Sequence, residues 1–189
     1  MRAWAVMADL STRLEHFVPA SPEEAADLGR ARELLGDGDD PFSRSVPLHV
    51  TGSALVVHPP TGRVLLRWHE RQQSWLQVGG HADPGESDPY LTALREGEEE
   101  TGLVDLRPWP GPDPDIAHLV SVPVPAGKGE PAHEHLDVRF LLATGDPDAV
   151  RPEDETAELR WLPVAEAITF VGEENLRVLL RRVAPLLAG

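Results

Sequence analysis

At 189 residues and 20.6 kDa, with 41% hydrophobic content, the chain has room for one medium domain and an addition, not for two full domains. Every apolar run stops short of the roughly 18 residues a membrane span needs, and Met1 to Phe17 interrupts its apolar residues with Asp9, Arg13, Glu15 and His16, unlike a secretory signal. The net charge of -15 repels nucleic-acid backbones, so the expectation is a cytoplasmic protein with no membrane and no nucleic-acid polymer as partner, and with a small anionic substrate still open because divalent cations reverse the local potential.

Residues 1–44 read as an N-terminal helical extension and 45–189 as the main domain. Ser21-Pro22-Glu23-Glu24 is a capping box with proline at the first helical position. Ala25, Leu28, Ala31, Leu34 and Leu35 then form a helical stripe that stops at Gly36. Gly36 to Pro41 can continue neither helix nor strand and is expected to be a linker. Leu48 to His58 and Arg63 to Trp68 are β-rich runs joined by Pro59-Pro60-Thr61-Gly62, a hairpin. Trp75 to Val78 is a short strand ending at Gly79-Gly80, and Pro89 to Thr101 a helix closed by Gly102. Further strands are expected at Leu103–Arg107, Ile116–Pro123, Leu136–Ala143 and Leu159–Leu162, and a last helix over Glu173–Leu187. Interleaved strands and helices predict an α/β or α+β sandwich.

The chemistry is concentrated in Gly80-His81-Ala82-Asp83-Pro84-Gly85-Glu86 and Arg95-Glu96-Gly97-Glu98-Glu99-Glu100-Thr101-Gly102-Leu103. On a helix, Glu96, Glu99 and Glu100 stand at i, i+3 and i+4 and fall within an arc of roughly 100°. Their like charges repel and nothing at i+4 supplies matching positive charge, so something else should balance them. A hard divalent cation with oxygen ligands would do so; a solvated acidic face is the plain alternative for the glutamates taken alone. The chain has no cysteine, so metal ligands are limited to oxygen and imidazole.

The stretch resembles the Nudix box, G-x5-E-x7-R-E-U-x-E-E-x-G-U with U apolar, supplying Gly80, Glu86, Arg95, Glu96, Glu99, Glu100, Gly102 and Leu103 in order. It departs twice: one extra residue separates Glu86 from Arg95, and Gly97 occupies the first apolar position. The extra residue can be absorbed before the helix, where Asp88-Pro89 reads as N-cap and first helical residue. Gly97 costs about 1 kcal/mol of helix propensity and leaves the core side short unless a bulky neighbour fills the space. Trp75 to His81 and Arg160-Trp161-Leu162-Pro163 extend the likeness to about residues 46–189.

The resemblance implies an α/β/α sandwich around a mixed sheet and a Nudix-family diphosphohydrolase acting on a small nucleoside-diphosphate-linked or related metabolite. It implies Mg²⁺, with Mn²⁺ as a substitute, held by Glu96, Glu99 and Glu100 with Gly80, whose lack of a side chain lets the loop backbone approach. It further implies Arg95 as the orienting cation and Glu86 as an assistant at the metal. Water would attack phosphorus in line. Its base is one of the box glutamates or an acid of the loop Glu153-Asp154-Glu155 to Glu158, a loop that also reads as simply solvated.

In His133-Glu134-His135-Leu136-Asp137-Val138-Arg139-Phe140, strand alternation puts His133, His135, Asp137 and Arg139 on one face. With Gly80 and His81 these are candidate substrate contacts, an ordinary wet strand face being the alternative; the histidine spacing lacks the His-Glu-x-x-His of zinc proteases. Trp68 and Trp75 read as core aromatics or as a stacking platform for a base. An isopentenyl diphosphate isomerase is excluded by the missing cysteine, and a P-loop nucleotidase by Lys128, the only lysine, standing outside a phosphate loop. The rival from another class is a non-catalytic Nudix-fold nucleotide sensor. The helical extension either caps the sandwich or pairs two chains into a homodimer.

Overall fold

In a computed structural model of the chain, residues 9–127, 129, 131–154 and 156–188 are described. Met1 to Ala8, Lys128 and Glu155, on which the expectations above partly rested, lie outside them. Asp9 caps a short helix α1 (Leu10–His16), accepting from the Thr12 N–H. Ser21 caps α2 (Pro22–Gly36) by accepting from the Glu24 N–H, as the capping box requires. The Glu24 carboxylate reaches back to the Ala20 N–H at 2.6 Å, one residue further than the box would send it.

Strands β1 (Leu48–His58), β2 (Arg63–His69), β3 (Ser74–Leu76) and β4 (Val78–His81) follow, then α3 (Pro89–Thr101). The rest is β5 (Arg107–Pro108), β6 (His118–Val124), β7 (His133–Ala143), β8 (Leu159–Pro163), α4 (Val164–Phe170) and α5 (Glu174–Leu187). They form one mixed sheet with β1 beside β7 in parallel and its other pairings antiparallel, the path running β3-β2-β1-β7-β5 with β4, β6 and β8 attached to β1, β7 and β2.

Two expectations needed correcting. The strand read at Trp75–Val78 is two strands: β3 pairs with β2, then the chain crosses to β1 as β4, so Gly79 and Gly80 lie within a strand instead of ending one. Leu103–Arg107 is a strand only at Arg107, because Leu103 and Leu106 plug the core while Asp105 turns to accept from Thr144 Oγ1 and the Gly145 N–H at 2.6 and 2.7 Å.

Alternation along β1 and β7 builds two cores. Val50, Ala54 and Val56 with Leu136, Val138, Phe140 and Leu142 pack under α3 and the N-terminal helices. Leu55, Val57, Leu141 and Ala143 pack under α4 and α5. Leu10, Leu14, Leu28, Ala31 and Leu34 of α1 and α2 belong to the first core, so the extension caps the sheet. Its buried anchor is Glu24, which accepts from the Leu119 N–H on the outer edge of β6 and pairs with Arg182 of α5, satisfying an edge donor that would otherwise invite another strand. Between α1, α5 and residues 108–117 lies a cavity of about 1050 Å³, lined by none of the chemistry-bearing side chains described below.

Where the sequence showed Gly52 as an ordinary strand residue, the structure gives it a purpose. A Cβ there would stand 2.2 Å from the Pro89 carbonyl and 3.0 Å from the Ala93 nitrogen, so glycine lets α3 lie directly on β1. Opposite Gly97, Leu106, Leu142 and Val78 fill the missing side chain's space.

Candidate active site

The extra residue ahead of α3 leaves its register intact. Asp88 caps the helix from the Tyr90 N–H, Pro89 opens it, and Gly102 ends it with φ 69°. Glu96, Glu99 and Glu100 therefore project from one side. Arg95 gathers what surrounds them: its guanidinium donates to both oxygens of Glu86 at 3.0 and 3.1 Å, to Glu96 and Glu99 at 3.0 Å, and to the His81 carbonyl at 2.9 Å. The expectation that the glutamates lack matching charge is thus corrected. Arg95 precedes Glu99 by four residues, a pairing missed by looking only downstream, and Arg67 of β2 reaches Glu100 at 3.3 Å from a neighbouring strand.

Glu86 also accepts from the Asp83 N–H and Thr92 Oγ1, and its hydrogen bonds from Arg95 hold its carboxyl below the ordinary range. Glu96 and Glu100 go the other way. Burial raises Glu96 despite Arg95, and burial pushes Glu100 up to about 7 although Arg67 and the Gly79 N–H, at 3.1 Å, favour its charged form. Arg67 also lies 3.4 Å from Glu153, which brings that acid to the site. At Gly80 a Cβ would stand 2.5 Å from Glu96 Oε1, so the bare backbone and that carboxylate share one small space. Oxygen donors of this kind, gathered on one side of a helix beside a bare backbone, could hold a hard divalent cation.

On the other face of β1, a pocket of about 170 Å³ opens beside Gly79 and Gly80, with Thr51, Ser53, Gln77, His81, His135, Asp137, Arg139 and Asn175 in its lining. Asp137 is the hub of its floor. Oδ1 accepts from Thr51 and Ser53 at 3.0 and 2.7 Å, Oδ2 from Gln77 and Arg139 at 3.2 and 2.7 Å. Arg139 also donates to Asn175 of α5 at 2.9 Å and lies against His118. Burial lowers His118 to about 4, aided by Arg139.

At the mouth of the same face His81, His135, His49 and His133 come together. Burial lowers His81 to about 3 and His135 to about 4, with neighbouring imidazoles and Arg44 adding to the effect. Among the described residues, His49, His81 and His135 are the group whose ligand atoms all lie within 4.8 Å of one another.

The structure thus gathers the predicted residues into two clusters separated by β4. Glu86, Arg95, Glu96, Glu99 and Glu100 lie on the α3 side, and His81, His133, His135, Asp137 and Arg139 on the opposite side, with Gly80 between. Sequence reasoning missed Arg67, Gln77, Asn175 and, on β1, His49, Thr51 and Ser53. For the last three a signal existed: polar residues at every second position of His49-Val50-Thr51-Gly52-Ser53, before the same face turns apolar at Leu55. Trp68 and Trp75 meet edge to face at 5.7 Å, and Trp75 is covered by Phe170 and by Arg160, 4.7 Å above its ring, as packing aromatics are.

The fold and this arrangement match a known group. The family model described as NUDIX domain covers residues 47–183. The chain is 34% identical over 157 residues to a probable DHNTP pyrophosphohydrolase of Lactococcus lactis, covering 82% of this chain and 85% of that protein. It is 34% identical over 142 residues to a CMP-5'-(N-acetyl-N-hydroxy-3-aminopropyl)phosphonate hydrolase of Streptomyces rubellomurinus, covering 70% of this chain and 63% of that one. Among solved structures it resembles a C. elegans Ap4A hydrolase, with a TM-score of 0.57 and 23% identity over 74% of this chain and 98% of that one. It also resembles the E. coli dihydroneopterin triphosphate pyrophosphohydrolase, with a TM-score of 0.55 and 18% identity over 72% of this chain and 95% of that one. The chain belongs to the Nudix hydrolase family. Within that family it is an enzyme, a diphosphohydrolase. No helix among the described residues is long and apolar enough to cross a membrane.

Proposed function

We propose that the protein hydrolyses a phosphoanhydride bond in a small nucleoside-diphosphate-linked or related metabolite, with Mg²⁺ at the α3 site and Mn²⁺ as a substitute. The observation that carries this reading is the Arg95 guanidinium tying Glu86, Glu96, Glu99 and the His81 carbonyl into one cluster against Gly80. Glu96, Glu99 and Glu100 with the Gly80 backbone would hold the ion. Bound there, magnesium supplies positive charge that screens phosphoryl oxygens and acidifies water.

The chain's own residues do the rest. Arg95 holds the carboxylates in register, and Glu86 fixes Arg95 from the loop side. Water attacks phosphorus, the new phosphorus–oxygen bond forms as the bridging one breaks, and the phosphate leaving group departs in line. The proton lost by water passes to a carboxylate. Glu153, which shares Arg67 with Glu100, is the loop acid positioned to be compared with the helix glutamates in that role. Gly80, His81, His133, His135, Asp137 and Arg139 contact the substrate from the sheet side, with Asp137 and Arg139 as a rigid floor. The names of the relatives, a pterin triphosphate pyrophosphohydrolase and a CMP phosphonate hydrolase, support nucleotide-like anhydrides as the first compounds to test.

The test is a screen of purified protein with nucleoside di- and triphosphates, nucleotide sugars, dinucleotide polyphosphates and a pterin triphosphate, each with magnesium and with manganese. Release of phosphate, pyrophosphate or nucleoside monophosphate from at least one is expected. No turnover in any of them, while one still raises the melting temperature, would support the sensor reading instead.

A further inference from the structure

We propose that His49, His81 and His135 form a second metal site, distinct from the glutamates of α3, that binds a divalent transition ion of the zinc type through imidazole nitrogens. The proposal does not depend on the identity of the substrate or on the α3 site being occupied.

Strand register brings the group together. His49 of β1 is the direct partner of His135 on β7, and Thr51, two residues on, is the partner of His81 on β4. His81 Nε2 lies 3.1 Å from His49 Nε2 and 3.2 Å from His135 Nε2. Two nitrogens on a tetrahedral zinc, each about 2.0–2.1 Å from the ion, are about 3.3 Å apart, so both spacings at His81 are close to that of a ligand sphere, and the ligand atoms of all three rings lie within 4.8 Å of one another.

Hydrogen bonds among four neutral imidazoles leave one of these contacts unmet. His49 Nδ1 lies 2.9 Å from the Val46 carbonyl and His133 Nδ1 lies 2.9 Å from the Pro131 carbonyl, contacts that need the proton on Nδ1 and leave Nε2 as an acceptor in both rings. His81 must then donate to His49. His135, 3.2 Å from His133 Nε2, must likewise donate to His133. The contact between His81 Nε2 and His135 Nε2 is left with two donors facing each other as long as His49 and His133 are neutral, and a further proton on His81 or His135 does not relieve it. No assignment of tautomers satisfies the three contacts together. A cation that accepts lone pairs from His49, His81 and His135 satisfies the two contacts that His81 makes, and the Val46 carbonyl behind His49 is an outer partner of the kind that orients a ligating imidazole. Imidazole donors favour zinc and its neighbours over magnesium, which separates this site chemically from the carboxylates. His133 Nε2, 3.2 Å from His135 Nε2, stands beside the group.

The experiment uses the tag-free full chain, stripped of metal by a chelator and titrated with Zn²⁺ by calorimetry and with Co²⁺ by visible absorption. The wild type is expected to bind one zinc at these imidazoles, to give the intense visible bands of four-coordinate cobalt, and to melt at a higher temperature with zinc than without. The Glu99→Gln/Glu100→Gln double variant should keep all three responses. His49→Ala and, as a milder change, His135→Gln should each lower zinc affinity at least a hundredfold, with circular dichroism of the metal-free proteins reporting that the variants fold. The proposal is overturned if the wild type binds no zinc, if folded His49→Ala and His135→Gln bind it as the wild type does, or if binding disappears in the double glutamine variant. Because the readout is metal uptake, it is independent of whether any anhydride is hydrolysed.

Discussion

On α3 a cluster of carboxylates is balanced by guanidinium groups, Arg95 for Glu86, Glu96 and Glu99 and Arg67 for Glu100, while across β4 four imidazoles crowd together and burial holds at least His81 and His135 uncharged. The first cluster comes from one helix and the loop before it. The second is drawn from three strands, and its members are up to 86 residues apart in sequence if His49 and His135 are taken as its ends. The difference teaches how a site that meets an anion can be assembled: hard charged donors on one side of Gly80, soft neutral donors on the other, and a buried Asp137–Arg139 pair beneath.

The contrast breaks if the carboxylate side is not where turnover is controlled. Glu99→Gln and Glu100→Gln should each lower kcat by about a hundredfold or more, equivalent to roughly 3 kcal/mol or more of lost transition-state stabilisation, because a neutral amide keeps the shape and loses the charge. Melting temperature should change little in Glu99→Gln, whose side chain is exposed, whereas Glu100 is buried and its variant's stability shifts with pH. Steady-state rates with saturating magnesium on the best substrate of the screen decide it, and near-wild-type kcat in both variants would refute the assignment.

Proton linkage sharpens the same contrast, with opposite signs on the two sides. Glu100 is lifted from 4.5 to about 7, so between those values the metal-free folded chain holds a proton that the unfolded chain has released. Its contribution to stability is therefore greatest below pH 4.5 and declines as pH rises to 7, by on the order of 3 kcal/mol. His118 falls from 6.5 to about 4, so its contribution is present above 6.5 and is lost as pH drops through 4. Subtracting the melting curve of Glu100→Gln from that of the wild type, in chelator, should give a difference that falls across pH 4.5–7. The same subtraction with His118→Gln should give one that rises across pH 4–6.5. Two differences of the same sign would contradict this account.

How much of this was legible in the sequence follows from the same geometry. Helical spacing is local, so the spacing of Glu96, Glu99 and Glu100 is enough to place them on one face, and Asp88-Pro89 showed where an inserted residue would be absorbed. Alternation placed His133, His135, Asp137 and Arg139 together for the same reason. What local pattern cannot supply is strand partnership: that β7 would lie parallel to β1, so that His49 meets His135 and Thr51 meets Asp137, depends on pairing across more than 80 residues. Arg67 was hidden for that reason too. Leu103–Arg107 misled because a strand-like apolar run was serving as a core plug.

A third buried carboxylate makes the comparison stricter. Glu24 is buried and faces an arginine, as Glu100 does, yet its carboxyl lies below the ordinary value. Burial alone would raise it, and Arg182 with the Ala20 and Leu119 N–H groups outweighs that. Its share of stability is present above pH 4.5 and is lost as pH falls through its lowered value. Glu24→Gln should cost about 2 kcal/mol in urea unfolding at pH 7, with the loss shrinking on acidification. A cost that did not shrink would mean that shape, not charge, is what the edge of β6 needs there.

The smallest expected effect tests whether charge alone neutralises the α3 cluster or whether the shape of the guanidinium is needed. Lysine at position 95 would keep a positive charge near Glu99, but an ammonium cannot reach both Glu86 oxygens, Glu96, Glu99 and the His81 carbonyl in one plane as Arg95 does. If the fork sets the register of the carboxylates, Arg95→Lys should lower kcat about tenfold, roughly 1.4 kcal/mol, and raise the magnesium concentration needed for half-maximal rate. If only charge mattered, both would stay at the wild-type level. Since the His81 carbonyl is one of the five contacts, loss of the fork should also loosen β4 at its end, and zinc affinity at the imidazoles would then fall together with the magnesium response. Measuring the two titrations on one preparation of Arg95→Lys shows whether the clusters on either side of Gly80 are mechanically joined or merely adjacent.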